Sequence, residues 1–179
     1  MNILDKVSDS EELAFSVPDN GGVYFVPAFV GLGAPYWDSD TRGTIVGITG
    51  GTSRAHLTRA ALESIAFQSY ELIEALEKDS GQKIKSLRVD GGASLNSFLM
   101  QFQADILGIP VQLSAIAETT ALGAGYLAGL SSGYWKSREE IARQRQLVKS
   151  FQPLFDDRKR DKLLEGWRKA VQAARQFKI

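Results

Sequence analysis

The residues best placed to do chemistry are Asp90-Gly91-Gly92, which follow an apolar stretch and precede an amphipathic one. Glycine permits a tight turn and lets a ligand approach the backbone closely. The helix predicted next would point unpaired N–H groups and its positive dipole end at that turn, which suits a phosphate or the edge of a nucleotide. Asn96, early in that helix, carries an amide that both donates and accepts. Asp90, at the strand end, has a carboxylate suited to a ligand or a hydrated Mg²⁺. A plain Gly-Gly hinge has the same pattern, and spacing alone leaves the two readings level. Neither a P-loop nor a G-x-G-x-x-G fingerprint occurs in the sequence.

Other features read more simply. Thr52 or Ser53, after Gly50-Gly51, suits a helix N-cap better than a phosphate site. His56 is the one histidine and has no cysteine to join it, so it is a structural or surface residue. The run Thr119 to Gly129 is made largely of small residues, which favours close helix packing, with Glu118-Thr119-Thr120 as its cap. Residues 27–43 form a Gly-, Pro- and aromatic-rich loop of a length uncommon unless it packs tightly or couples two domains. Phe29, Tyr36 and Trp37 should be mostly buried. Asp38, Asp40 and Arg42 should pair with each other or face a cleft. Asp105 reads as a salt-bridge or capping residue.

The elements that must hold these residues follow from periodicity. Asp9 and Ser10 start a short helix within a polar segment, residues 1–20, expected to be partly disordered. Val23–Val26 and Thr44–Thr49 read as strands. A long helix starts at Ser53 and ends at Gly81, with Leu62, Ile65, Ser69, Leu72 and Leu76 at helical spacing. Ile84–Val89 is a strand. The next helix carries Leu99, Phe102 and Ile106 and stops at Gly108. Val111–Leu113 is a strand, Glu118–Leu130 a helix, and 137–147 a charged helix. Ser150–Pro153 is irregular or a short strand. The last helix starts near Asp156 and buries Leu164, Trp167, Val171 and Ala174. This alternation predicts an α/β domain, with the two strands around the Leu99 helix parallel.

Composition narrows the function classes. With 21 basic and 21 acidic residues among 179, the chain has no net field to gather nucleic acid. The absence of cysteine excludes disulfides, thiolate metal sites and a cysteine nucleophile. A single histidine excludes a multi-histidine cluster. No apolar run has the length of a membrane span, and the N-terminus lacks a signal-peptide pattern. A soluble, cytoplasmic protein with no membrane insertion is the expectation.

Three stretches together resemble glycerol kinases: VPAFVGLGAPYWDSDTRG at 26–43, GTIVGITGGTSRAHLTRAALE at 43–63, and LRVDGGASLNSFLMQFQADILGIPV at 87–111 followed by ETTALGAGYLAGL at 118–130. The middle stretch fits the second signature of the wider sugar-kinase family. The aromatic-rich loop is what looks like glycerol kinase rather than a pentulose kinase. The resemblance implies a partial actin-like (ribonuclease H-like) ATPase domain over residues 21–179, a mixed sheet with helices packed on it. It implies a parent enzyme that moves the γ-phosphoryl group of MgATP to the 3-hydroxyl of glycerol, with ATP and Mg²⁺ as cofactors. It places adenine nucleotide contacts on Gly92 and Asn96, with Gly91 and Ala93 beside them, and no catalytic or metal-binding residue in this portion. The family's base and main polyol contacts lie in an N-terminal half this chain lacks, and the family's earlier Gly-Thr-Gly phosphate turn on the C-terminal side is also absent, so the chain alone should be inert. The missing early strands leave a sheet edge bare, which implies a homo-oligomer. Two other readings remain: a related kinase acting on xylulose or gluconate, and a non-enzymatic actin-like nucleotide-binding module. The upstream coding sequence discriminates among them.

Overall fold

A computed structural model describes residues 4, 6–115, 119–143 and 147–177. In chain order the elements are α1 (Asp9–Phe15), β1 (Tyr24–Val26), β2 (Thr44–Val46), α2 (Arg54–Ser80), β3 (Leu87–Val89), α3 (Ser97–Leu107), β4 (Val111–Ser114), α4 (Thr119–Ser131), α5 (Arg138–Arg143), β5 (Leu147–Phe151) and α6 (Asp157–Gln176). A 3₁₀ turn over Gly92–Leu95 joins β3 to α3.

The strands form two sheets. β1 and β2 make an antiparallel pair, Tyr24 opposite Val46. β3, β4 and β5 lie in that order, with β4 central. β3 and β4 are parallel, as the α3 crossover requires. β5 joins β4 antiparallel. The result is the mixed sheet with helices packed on it that the sequence implies. β5 starts at Leu147, so that residue belongs to a strand and not to the charged helix expected over 137–147. α5 keeps only Arg138–Arg143 of that helix, and residues 144–146 lie outside the described residues.

Helix boundaries follow local chemistry. Ser53 caps α2 reciprocally with His56: the Ser53 N–H donates to His56 Nδ1 at 3.1 Å, and the Ser53 hydroxyl meets the same nitrogen at 2.8 Å. This gives His56 a structural role. Gly81 and Gly108 end α2 and α3 in the left-handed region. The Asp156 side chain caps α6 by accepting from the Lys159 N–H at 2.8 Å.

The core sits where α2, α3 and α6 meet. Trp167 stacks on Phe67 at 5.1 Å between ring centroids, Phe67 meets Phe102 edge-on at 5.5 Å, and Phe102 stacks on Phe98 at 6.0 Å. Leu99, Ile106, Val111 and Val171 fill the space around this aromatic spine. The four apolar positions expected on α6 are all buried. β1 reaches this core through Tyr24, whose hydroxyl donates to Leu163 O at 3.3 Å. Gly166 permits the approach, since a Cβ there would lie 2.1 Å from that hydroxyl.

The apolar stripe predicted for α2 is corrected. Ile65, Leu72 and Leu76 are 42%, 46% and 50% exposed. The buried positions of α2 instead carry small residues with Phe67, Glu63 and Glu71, while Leu62 of the expected stripe packs against the core. Small side chains let the helices approach, and the large rings then supply the contact area.

Candidate functional site

The candidate site begins at the C-terminal end of β3. Asp90 follows the strand and is exposed, and Gly91 adopts φ 80° and ψ 177°. That conformation is open essentially to glycine alone. Ser94, buried beneath the turn, donates its hydroxyl to Gly91 O at 2.7 Å and its N–H to the same oxygen at 3.1 Å. Gly92 and Ala93 are exposed, and a Cβ placed on Gly92 would meet no atom within 4 Å. The bend is therefore a rigid, open shelf.

Asn96 ends the 3₁₀ turn and caps α3, its Oδ1 accepting from the Leu99 N–H at 2.9 Å. Its Nδ2 donates to Ser10 Oγ at 3.2 Å. The Ser97 N–H donates to Glu11 Oε2 at 2.8 Å. This corrects the expectation that the start of α3 presents free N–H groups and an uncompensated positive end to the glycine turn. The 3₁₀ turn intervenes, and a carboxylate from α1 already faces the helix start.

Beside the shelf is a cleft of about 450 Å³ between the outer face of the β3–β4–β5 sheet and α4, lined by Arg88, Asp90, Gln112, Ser114, Leu122 and Tyr126. Strand alternation explains its polarity. Arg88, Gln112 and Ser114 point to this face, while Leu87 and Val111 point to the helices. No group of three or more carboxylates and histidines that could hold a metal occurs among the described residues.

The small-residue helix α4 departs from the close packing expected of it. It buries no residue, and Gly123 and Gly125 face open space. Only Gly129 is tightly approached, by the Trp135 ring. Glu118, expected in its cap, lies outside the described residues.

The 27–43 loop also differs from expectation. Phe29 is 71% and Trp37 81% exposed, while Tyr36 is half-buried. The loop closes on itself through Leu32 and Asp38, whose backbones exchange hydrogen bonds of 2.7 and 2.9 Å. Tyr36 donates to Glu71 on α2, and Arg175 on α6 reaches Asp38 at 3.4 Å. With those two side chains turned inward, Phe29 and Trp37 are turned out. Asp38 thus pairs with Arg175 rather than with Arg42, whose guanidinium donates to Ser39 O and Thr41 O. Burial pushes the Glu71 carboxyl above its ordinary range, against the pull of the Tyr36 hydroxyl. Asp105 serves neither as a salt bridge nor as a cap. Its Oδ1 accepts from the Leu154 N–H at 2.6 Å and from Gln101 Nε2 at 3.0 Å, fixing the approach to α6.

Residues 3–132 match the FGGY family of carbohydrate kinases, C-terminal domain. The chain belongs to this family. Individual relatives agree. The glycerol kinase of Symbiobacterium thermophilum is 58% identical over 175 residues, which are 98% of this chain and 35% of that protein. Glycerol kinase 2 of Thermotoga maritima is 58% identical over 96% of this chain and 34% of its own length. The chain therefore spans about a third of the curated relatives it matches. Among solved structures, Plasmodium falciparum glycerol kinase with ADP superposes at a TM-score of 0.88 with 39% identity, over 97% of this chain and 35% of that one. Gluconate kinase from Lactobacillus acidophilus superposes at 0.82 with 25% identity, over 97% and 36%. The actin-like ATPase fold expected of an FGGY kinase domain is the fold observed.

Among the described residues no helix is long and apolar enough to cross a membrane. The Ser10 and Glu11 contacts to the turn were not legible in the sequence. They join residues 86 positions apart, and no local pattern marks them.

Proposed function

We propose that this chain is the nucleotide-side portion of an ATP-dependent glycerol kinase, and that the shelf from Gly91 to Asn96 receives the adenine nucleotide. The observation that carries the reading is the open space above Gly92 beside an oriented Asn96 amide. Among the superposed structures, 39% identity to a glycerol kinase against 25% to a gluconate kinase favours glycerol over other acceptors. ATP supplies the phosphoryl group, and Gly91, Gly92, Ala93 and Asn96 hold the nucleotide in place. Mg²⁺ accompanies the phosphates, with no carboxylate cluster for it among the described residues. The domain includes α1, whose Ala14 is buried in the core, and the protein is cytoplasmic. β3, an outer strand, leaves an edge that a second copy pairs with.

Positioning dominates phosphoryl transfer, and a chain that supplies one side of the nucleotide cannot align donor and acceptor. The chain alone therefore binds MgADP weakly and does not turn over. Calorimetric titration with MgADP tests the first statement. Gly92→Val fills the open space without backbone strain, so it should abolish binding at an unchanged melting temperature. Equal affinity in Gly92→Val would remove the nucleotide from this shelf. ADP release from MgATP and glycerol by the chain alone would overturn the second.

A further inference from the structure

We infer that α1 is a positioning element for the nucleotide shelf, with Ser10 orienting the Asn96 amide and Glu11 closing the start of α3. The inference rests on the nucleotide reading above and adds a residue set outside the shelf itself.

The argument is one of hydrogen-bond polarity. The Leu99 N–H can only donate, so the Asn96 atom facing it at 2.9 Å must be the oxygen. The amide nitrogen then points to Ser10 Oγ, 3.2 Å away. Ser10 commits its own proton to Val7 O at 2.6 Å, which leaves Oγ as an acceptor for Asn96. The chain of bonds runs in one direction and fixes which way the amide faces. Ser10 is buried, so water does not readily replace it. Glu11 Oε2 meanwhile holds the next N–H, that of Ser97, at 2.8 Å. Asn96 retains one N–H and one oxygen lone pair, the donor–acceptor pair with which an amide reads the edge of a purine.

α1 is itself anchored on the opposite side. Arg59 Nη1 donates to Val17 O at 2.7 Å and Ala14 O at 3.4 Å, while its Nε pairs with buried Glu63 at 2.8 Å. The same guanidinium lies 4.9 Å from the centre of the Phe98 ring, and Phe15 meets that ring edge-on at 5.3 Å. α1 thus bridges α2 and α3, and through α3 the shelf.

The test uses the whole chain, isotopically labelled, with MgADP as the probe. Nuclear magnetic resonance follows the Asn96 side-chain NH₂ and the Ser97 amide. Ser10→Ala should displace the Asn96 NH₂ signals and weaken MgADP about two- to tenfold, as loss of one hydrogen bond implies, with little change in melting temperature. Ser10→Thr keeps a hydroxyl and should restore both readouts. Glu11→Gln should speed solvent exchange at Ser97. The inference falls if Ser10→Ala leaves the Asn96 signals and the affinity where they were, or if Ser10→Thr fails to restore them. If the unaltered chain binds no MgADP, the nucleotide reading fails by itself. The Asn96 and Ser97 signals then still decide whether α1 sets the turn.

Discussion

The two faces of the β3–β4–β5 sheet are built differently. On one, α3 closes over Leu87 and Val111 and joins them to the aromatic spine it shares with α2 and α6, where Trp167 and Phe67 are almost wholly buried. On the other, α4 stands over Arg88, Gln112 and Ser114, buries no residue and leaves a cleft. The same sheet thus has a sealed face that carries stability and an open face with room for a ligand or another segment. Burial of apolar surface scales with stabilisation, so the energetic weight belongs to the sealed face.

The sharpest way to break this comparison is to hollow the sealed face. Phe67→Ala removes the ring that contacts both Trp167 and Phe102 and should cost about 3–5 kcal/mol, read from urea unfolding. A loss below about 1 kcal/mol would mean the spine is not the stabilising feature. A smaller effect concerns the buried carboxyl of Glu71. Its folded pKa is raised, chiefly by burial, so the native state holds its proton more tightly than the unfolded chain. Its stabilising contribution is full below the unfolded carboxylate value of about 4.3 and is lost as pH rises through the folded value. Glu71→Gln, which keeps an acceptor for Tyr36, should therefore gain melting temperature relative to the unaltered chain as pH rises from 4 to 8. A constant difference would contradict the assignment. The smallest effect lies on the open face. Gly123→Ala adds a methyl group into empty space within a helix and should stabilise by up to about 1 kcal/mol. A marked loss would show that α4 packs closely after all.

Elements with chemical punctuation were legible in the sequence. Gly81 and Gly108 mark helix ends because only glycine takes the left-handed cap without cost, and Ser53 marks a start because its side chain replaces a missing partner. α6 was legible through Leu164, Trp167, Val171 and Ala174, which lie where a helix of that register must bury them. α2 was not. Ile65, Leu72 and Leu76 lie on the face left open, and the buried positions of α2 are alanines, a threonine, a serine, two glutamates and one phenylalanine. Periodicity finds a stripe but cannot say whether a neighbour exists to cover it. The aromatic loop failed for a related reason. Residue type gives the cost of exposing Phe29 and Trp37 but not the Tyr36–Glu71 and Asp38–Arg175 links that turn them outward. At the shelf, Gly91 and Asn96 were visible from type and order, whereas their support from α1 is a tertiary fact.

The Glu11 carboxylate at the head of α3 has a consequence for how cargo lies on this surface. A triphosphate tail brought there would confront like charge and would have to dislodge a partner already bound. The uncharged purine meets no such repulsion. The shelf is thereby polarised: on the proposed nucleotide reading, the uncharged base would lie nearer α1 and the anionic tail would point away from it.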